Sequence, residues 1–230
     1  YFDKDGKSWQ SYTWGEMATE VARWQTAMRG ENVSQGGRVA IQLRNCPQWV
    51  MFDQAALSLG LVTVPLYTDD RPDNIAYILR DADVRILLVQ DEGRWRRLAG
   101  KLPELASLKR ILLLDDSDAA RQLAAEDSRV RIISDWLPER GGELIRRENA
   151  DGKQLASIVY TSGTTGSPKG VMLSHLNMMS VAHGGLALLD CFQEDVFMSL
   201  LPRSHTMERT VGYYLGVMSG SSVADARSVA

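Results

Sequence analysis

Cysteine is scarce: Cys46 and Cys191 are the only two in 230 residues, and neither belongs to a CxxC pair or a Cys/His cluster. A disulfide framework or a zinc site needs more thiols at closer spacing, so both are excluded and each cysteine reads as a small core residue. An excess of either charge is also missing. With 26 basic and 29 acidic residues the formal net charge is −3, which offers no footprint for a polyanion and argues against nucleic acid as a partner. No apolar run reaches the roughly 20 residues of a membrane-spanning helix, and Tyr1-Phe-Asp-Lys-Asp5 is no signal peptide. The expected location is therefore cytoplasmic, with peripheral membrane contact left open. An initiating methionine is absent too, and the chain stops at Ser228-Val-Ala230 just after a strand-like segment, so a piece of a longer polypeptide is expected.

What is present is a globular composition, 44% hydrophobic and 24% charged. Residues 1–12 carry an Asp5-Gly6 turn signal between aromatics, which predicts a small hairpin. Thr13-Trp-Gly-Glu16 is a capping box, and Met17, Val21, Trp24 and Met28 follow at helical spacing, predicting a helix over 14–29. Strand-like runs then alternate with helix-like ones: strands at 38–43, 61–65, 85–89, 110–114 and 129–133, helices at 47–59, 72–82 and 116–125. Such alternation implies βαβ units, hence an α/β fold with a mostly parallel sheet and helices on both faces. The polar stretch 138–153, bracketing a possible helix, is the expected loose connection between a first α/β half (1–150) and the start of a second (151–230).

The stretch that organises the chain is Tyr160-Thr-Ser-Gly-Thr-Thr-Gly-Ser-Pro-Lys-Gly170. It follows a buried-strand signal, Leu155–Tyr160, and precedes a segment readable as a helix from Ser174 to about Leu189. Its glycines let backbone N–H groups approach an anion, its hydroxyls add hydrogen bonds and Lys169 adds a mobile positive charge. It is not the common kinase and ATPase phosphate loop: Gly163 and Gly166 are too close together, Pro168 precedes Lys169, and no Lys-Ser/Thr pair is present. A second informative stretch is Leu201-Pro-Arg-Ser-His-Thr-Met-Glu-Arg-Thr210, after a strand-like run at 195–201. It brings His205 to the mouth of a helix, where side chains commonly face a ligand. By position alone, helix capping by His205 and Glu208 is the favoured reading.

The glycine-rich stretch closely resembles the signature loop of the adenylate-forming (AMP-binding) superfamily. The Leu-Pro-x-Ser-His-x-x-Glu-Arg pattern, the Tyr213-Tyr214 pair, Ala226-Arg-Ser228, Tyr12-Thr-Trp-Gly-Glu16 and the 65–81 stretch resemble its long-chain fatty acyl-CoA synthetase branch. The resemblance spans nearly the whole chain. It implies the N-terminal part of an acyl-CoA synthetase/luciferase-like large domain, with the adenine and ribose motifs, an acidic metal ligand and a C-terminal domain bearing a catalytic lysine all beyond Ala230. It implies ATP-dependent activation of a long-chain fatty acid to an acyl adenylate, then transfer to coenzyme A, with little activity in the isolated piece. By the same resemblance Thr161, Ser162, Gly163, Thr164, Thr165 and Gly166 hold the ATP phosphates, with Lys169 as electrostatic partner. Thr164 becomes a Mg2+ ligand, and His205 sits near the reacting carboxylate or the acyl tunnel. Arg203 and Met207 stand where that branch often has an apolar and an aromatic residue, which bears on acyl-chain preference. His175 is assigned to a loop-to-helix junction and His183 to a helix face. Transfer to a carrier protein and a non-catalytic nucleotide- or lipid-binding module are the alternatives.

Overall fold

The computed structural model describes residues 2–3, 8–101, 107–147, 150–161 and 167–226. Strands β1 (Phe2–Asp3) and β2 (Trp9–Gln10) pair antiparallel, and the Asp5-Gly6 turn expected between them lies outside the described residues. Helix α1 (Trp14–Gly30) starts at the capping box: Thr13 Oγ1 accepts from Glu16 N–H at 3.1 Å, and Glu16 Oε2 accepts from Thr13 N–H at 2.7 Å. Met17, Val21, Trp24 and Met28 are all buried, so the helical spacing read from the sequence is the core-facing stripe.

The chain then lays down β3 (Arg38–Gln42), α2 (Pro47–Ser58), β4 (Val62–Pro65), α3 (Pro72–Asp81), β5 (Val84–Val89), α4 (Glu92–Ala99), β6 (Arg110–Leu113), α5 (Asp118–Glu126), β7 (Val130–Ile132) and α6 (Ile133–Trp136). Next come β8 (Leu155–Thr161), β9 (Lys169–Ser174), α7 (His175–Leu188), β10 (Val196–Ser199), a π-helical stretch Glu208–Leu215, α8 (Gly216–Ser219) and β11 (Ser222–Asp225). A seven-stranded sheet has the order β7-β6-β5-β3-β4-β8-β9, parallel throughout except for β9 against β8. A smaller sheet has the order β10-β11-β1-β2.

From β3 the chain steps one way to β4, then returns past β3 to β5 and continues to β6 and β7. Right-handed crossovers must then leave α2 on one face and α3, α4 and α5 on the other. The two cores follow the period of two along each strand. Val39, Ile41, Ile86, Leu88 and Leu112 join the cluster with α1 and α2. Ala40, Leu87, Val89, Ile111 and Leu113 join the one with α3, α4 and α5.

The structure departs from the sequence reading at several points. Residues 169–174 form a strand, and β9 pairs antiparallel with β8, so the glycine-rich stretch joins two strands instead of leading from a strand into a helix. A six-residue strand at the edge of a sheet carries too short an apolar run to be recognised by period. Helix α4 was not foreseen, because only Trp95 and Leu98 on it are buried and the rest is polar. The 138–147 stretch forms neither a helix nor a loose linker; it is stitched along α1. Gln25 Nε2 donates to Ile145 O at 3.0 Å, Ile145 N–H donates to Gln25 Oε1 at 2.8 Å, and Arg23 Nε donates to Pro138 O at 3.1 Å. A Cβ at Gly141 would lie 2.6 Å from the backbone nitrogen of Arg23, so only glycine allows this approach. Residue 150 also marks no change of sheet: β8 and β9 extend the seven-stranded sheet, and the chain leaves it only after β9.

Candidate active site

The strand order reverses at β3, and the crevice outside the carboxyl ends of strands at such a point is where open α/β sheets bind ligands. Strand β8 runs parallel to β4 and therefore delivers Thr161 to that same edge. Thr161 pairs in register with Lys169 at the start of β9, and both are exposed. Ser162, Gly163, Thr164, Thr165 and Gly166 connect these two positions and lie outside the described residues. The base of the hairpin is fixed from below. Tyr160 Oη donates to Asp81 Oδ2 on α3 at 2.5 Å, and burial, reinforced by this carboxylate, raises the phenol pKa. Opposite Tyr160 stands Gly170, where a Cβ would lie 2.8 Å from Ile158 Cγ2 and 3.0 Å from the Tyr160 ring. Gly170→Ala is therefore expected to cost about 1–3 kcal/mol through overpacking. Thermal unfolding of the full-length protein should show a lower Tm, and Mg-ATP titration a weaker affinity.

His205 closes the turn that follows β10. Its Nδ1 accepts from Met207 N–H at 3.3 Å, so it does cap the helix, while its side chain stays exposed to solvent. Glu208 does not share the capping role: it is buried, and its Oε2 accepts from Leu201 N–H at 3.4 Å. His205 borders two cavities. One, of about 580 Å³, is lined by Asp69, Asn74, Tyr160, Thr161 and Pro168. The other, of about 720 Å³, is an apolar groove along Met172, Met178, Val181, Met207 and Val211. Both fall in the size range of small-molecule sites.

The turn carrying His205 is held by residues that sequence reading missed. Asn45, just past β3, donates through Nδ2 to Leu201 O at 2.8 Å and accepts at Oδ1 from Arg203 N–H at 2.9 Å. Arg203 does not face the apolar groove. It is 1% exposed and ion-paired with Asp225 at 2.6 Å, with the Tyr213 ring centroid 5.1 Å from its guanidinium carbon. Met207, by contrast, is exposed and lines the groove. Beneath the π-helical stretch a second buried pair joins Arg209 to Asp53 of α2. Burial works against the Arg209 charge, and Asp53 together with Tyr214 outweighs it, so its pKa lies above the ordinary value. Burial also raises both tyrosines of the pair, Tyr214 to about 12. Asp53 left one signal in the sequence: a lone carboxylate in the mostly apolar run Trp49–Leu57.

His175 is the first residue of α7, beside the Ser174 cap, and His183 lies exposed on the same helix. Burial, then the positive charges of Arg147 and Arg209, lower the His175 pKa below its ordinary 6.5. The folded state thus disfavours its protonation, and the unfolded state binds more protons in that window. Stability should fall as pH drops through about 6.5, until the folded pKa is passed. His175→Gln should flatten that part of a Tm-versus-pH curve. Burial pushes the Cys46 thiol up to about 11, which leaves no thiolate nucleophile at neutral pH.

A sequence model described as AMP-binding enzyme matches residues 2–228. The chain belongs to the AMP-binding enzyme family. Among the similar proteins, "Long chain acyl-CoA synthetase 7, peroxisomal" of Arabidopsis thaliana is 30% identical over 93% of this chain and 31% of its own length. "Probable CoA ligase CCL6" of Humulus lupulus is 32% identical over 92% of this chain and 33% of its own. This AMP-binding chain thus spans about a third of the curated relatives it matches. Two solved structures share its fold: the anthranilate CoA ligase AuaEII in complex with anthranoyl-AMP, with TM-score 0.82 at 22% identity over 91% of this chain and 39% of that one, and the Mycobacterium tuberculosis fatty acyl CoA synthetase, with TM-score 0.80 at 18% identity over 95% and 40%. Among the described residues of this family member, no group of three or more His, Cys, Asp or Glu could hold a metal, and no helix is long and apolar enough to cross a membrane.

Proposed function

We propose that the chain is the N-terminal part of an ATP-dependent, AMP-forming ligase that activates a long-chain fatty acid and transfers it to coenzyme A. The observation that carries this reading is the position of His205 between a cavity that reaches Thr161 at the base of the hairpin and an apolar groove. One side opens toward the hairpin base that carries Thr161 and Lys169, and the other suits an alkyl chain. A carboxylate held at His205 would lie where the two meet. Its oxygen attacks the α-phosphorus of ATP, the bond to the β-phosphate oxygen breaks, and pyrophosphate leaves with the released electron pair. The sulfur of coenzyme A then attacks the acyl carbon, loses its proton and expels AMP.

Bringing two anions together calls for neutralised charge more than for an acid or base. In this proposal the hairpin backbone and the hydroxyls of residues 161–166 hold the phosphates, and Lys169 supplies positive charge beside them. The neutral hydroxyl of Thr164 suits a hard cation such as Mg2+, which would lower the charge of the phosphates, its acidic partner coming from outside this chain. A cytoplasmic location with peripheral membrane contact belongs to the same proposal and rests on where long-chain acids partition.

The test is ATP–pyrophosphate exchange by the full-length protein, expected only with a long-chain fatty acid present, followed by product analysis with coenzyme A. Exchange without the acid, or none at all, would defeat the reading. Acyl-AMP that never becomes acyl-CoA would point to a carrier protein as acceptor.

A further inference from the structure

Arg209 is the point at which the two sides of the proposed site are mechanically joined. Its backbone N–H donates to His205 O at 3.1 Å, so it belongs to the same helical turn as the histidine. Its side chain reaches the sheet. Nη1 donates to Ser157 Oγ at 2.6 Å on β8, four residues before Thr161, and Nη2 donates to Thr63 Oγ1 at 2.8 Å on β4. The same Nη2 pairs with Asp53 on α2, and Ser157 Oγ donates onward to Thr63 O at 2.8 Å. Asp53, Thr63 and Ser157 are all 0% exposed and Arg209 is 1% exposed, so the network is closed to bulk solvent. The π-helical form of Glu208–Leu215 bonds residues five apart, which brings Tyr214 round to the side of Arg209, with its Oη 3.4 Å from Asp53 Oδ2.

Stability alone does not account for this arrangement. A buried ion pair is commonly no more stabilising than well-packed apolar side chains of the same volume, so its presence needs another reason. A guanidinium is planar and donates in fixed directions, so hydroxyls on two strands and a carboxylate on a helix can accept from its two terminal nitrogens only in one relative placement. We propose that Arg209 is a positioning residue for acid activation: held by Asp53, Thr63 and Ser157, it sets His205 on the acyl side at a fixed distance from the β8–β9 hairpin on the phosphate side. This rests on the function proposed above and adds a residue that reaches neither substrate.

The experiment compares the full-length wild-type enzyme with Arg209→Lys, which keeps the charge but loses the fork, and with the double variant Asp53→Leu/Arg209→Met, which replaces the pair by apolar bulk. For each, Tm is measured together with kcat and KM for ATP and for fatty acid in pyrophosphate exchange. The double variant is expected to melt within a few degrees of wild type while its kcat falls by about 100-fold, the loss that a displacement of about 1 Å can cause. Arg209→Lys should lose about tenfold in kcat, with KM for ATP little changed, because the fork and not the charge sets the placement. A double variant that recovers both Tm and kcat would make Arg209 structural cement and overturn the inference. Should the double variant not fold, unchanged kcat in Arg209→Lys overturns it equally. Absence of exchange in the wild-type enzyme would instead overturn the acid-activation reading, and this inference with it.

Discussion

Replacing Lys169 by alanine in the full-length protein is expected to lower fatty-acid-dependent pyrophosphate exchange by about 100- to 1000-fold, the usual cost of removing one preorganised group that stabilises developing charge. Lys169 is exposed at the first position of β9, in register with Thr161, and has no ion-pair partner among the described residues. Its charge is therefore available to a ligand, and little folding energy depends on it. Thermal unfolding should consequently be nearly unchanged while the rate collapses, a split that separates a role at the phosphates from a role in the fold. Lys169→Arg should recover part of the rate, because it keeps a positive charge with different donor geometry. An alanine variant with wild-type kcat/KM for ATP would remove Lys169 from the site.

Asp225→Ala is expected to destabilise the fold strongly, by about 3–5 kcal/mol, because it strands a buried guanidinium without its counter-charge. Arg203 is 1% exposed and Asp225 is 3% exposed, and their 2.6 Å contact links the turn before His205 to β11 of the smaller sheet. Calorimetry on the full-length protein should show a drop in Tm of several degrees or more. The compensated double variant Arg203→Met/Asp225→Leu should regain most of it. Asp225→Ala melting within about a degree of wild type would show that water reaches the arginine or that another group replaces the carboxylate.

These two residues mark what could be read in advance and what could not. Lys169 could be proposed from the sequence because the chemistry of a phosphate loop is local: glycines, hydroxyls and a lysine must be close in the chain to wrap one anion. The same locality made α1, the β3–α2–β4 units and the two-faced sheet legible, since caps and apolar periods act over a few residues. Arg203 was read as a position bearing on the acyl chain. Closeness to His205 in sequence does not reveal which way a side chain turns, and its partner comes 22 residues later on another strand. Asn45, Asp53 and Asp225 escaped for the same reason, each meeting its partner only across the fold. The pairing of β9 with β8 escaped because a short edge strand has little period to detect.

By itself the amino-acid sequence determined the α/β class and most of the alternation of strands and helices between residues 14 and 133, because hydrogen-bonding caps, apolar periodicity and turn chemistry are set between near neighbours. Only the tertiary structure decided that His205 borders both a cavity reaching Thr161 and an apolar groove, and that Arg209 ties its turn to the strand leading into the hairpin. Those relations join residues on different elements, 52 apart along the chain for Arg209 and Ser157 and 161 apart for Tyr214 and Asp53, and packing alone brings them together.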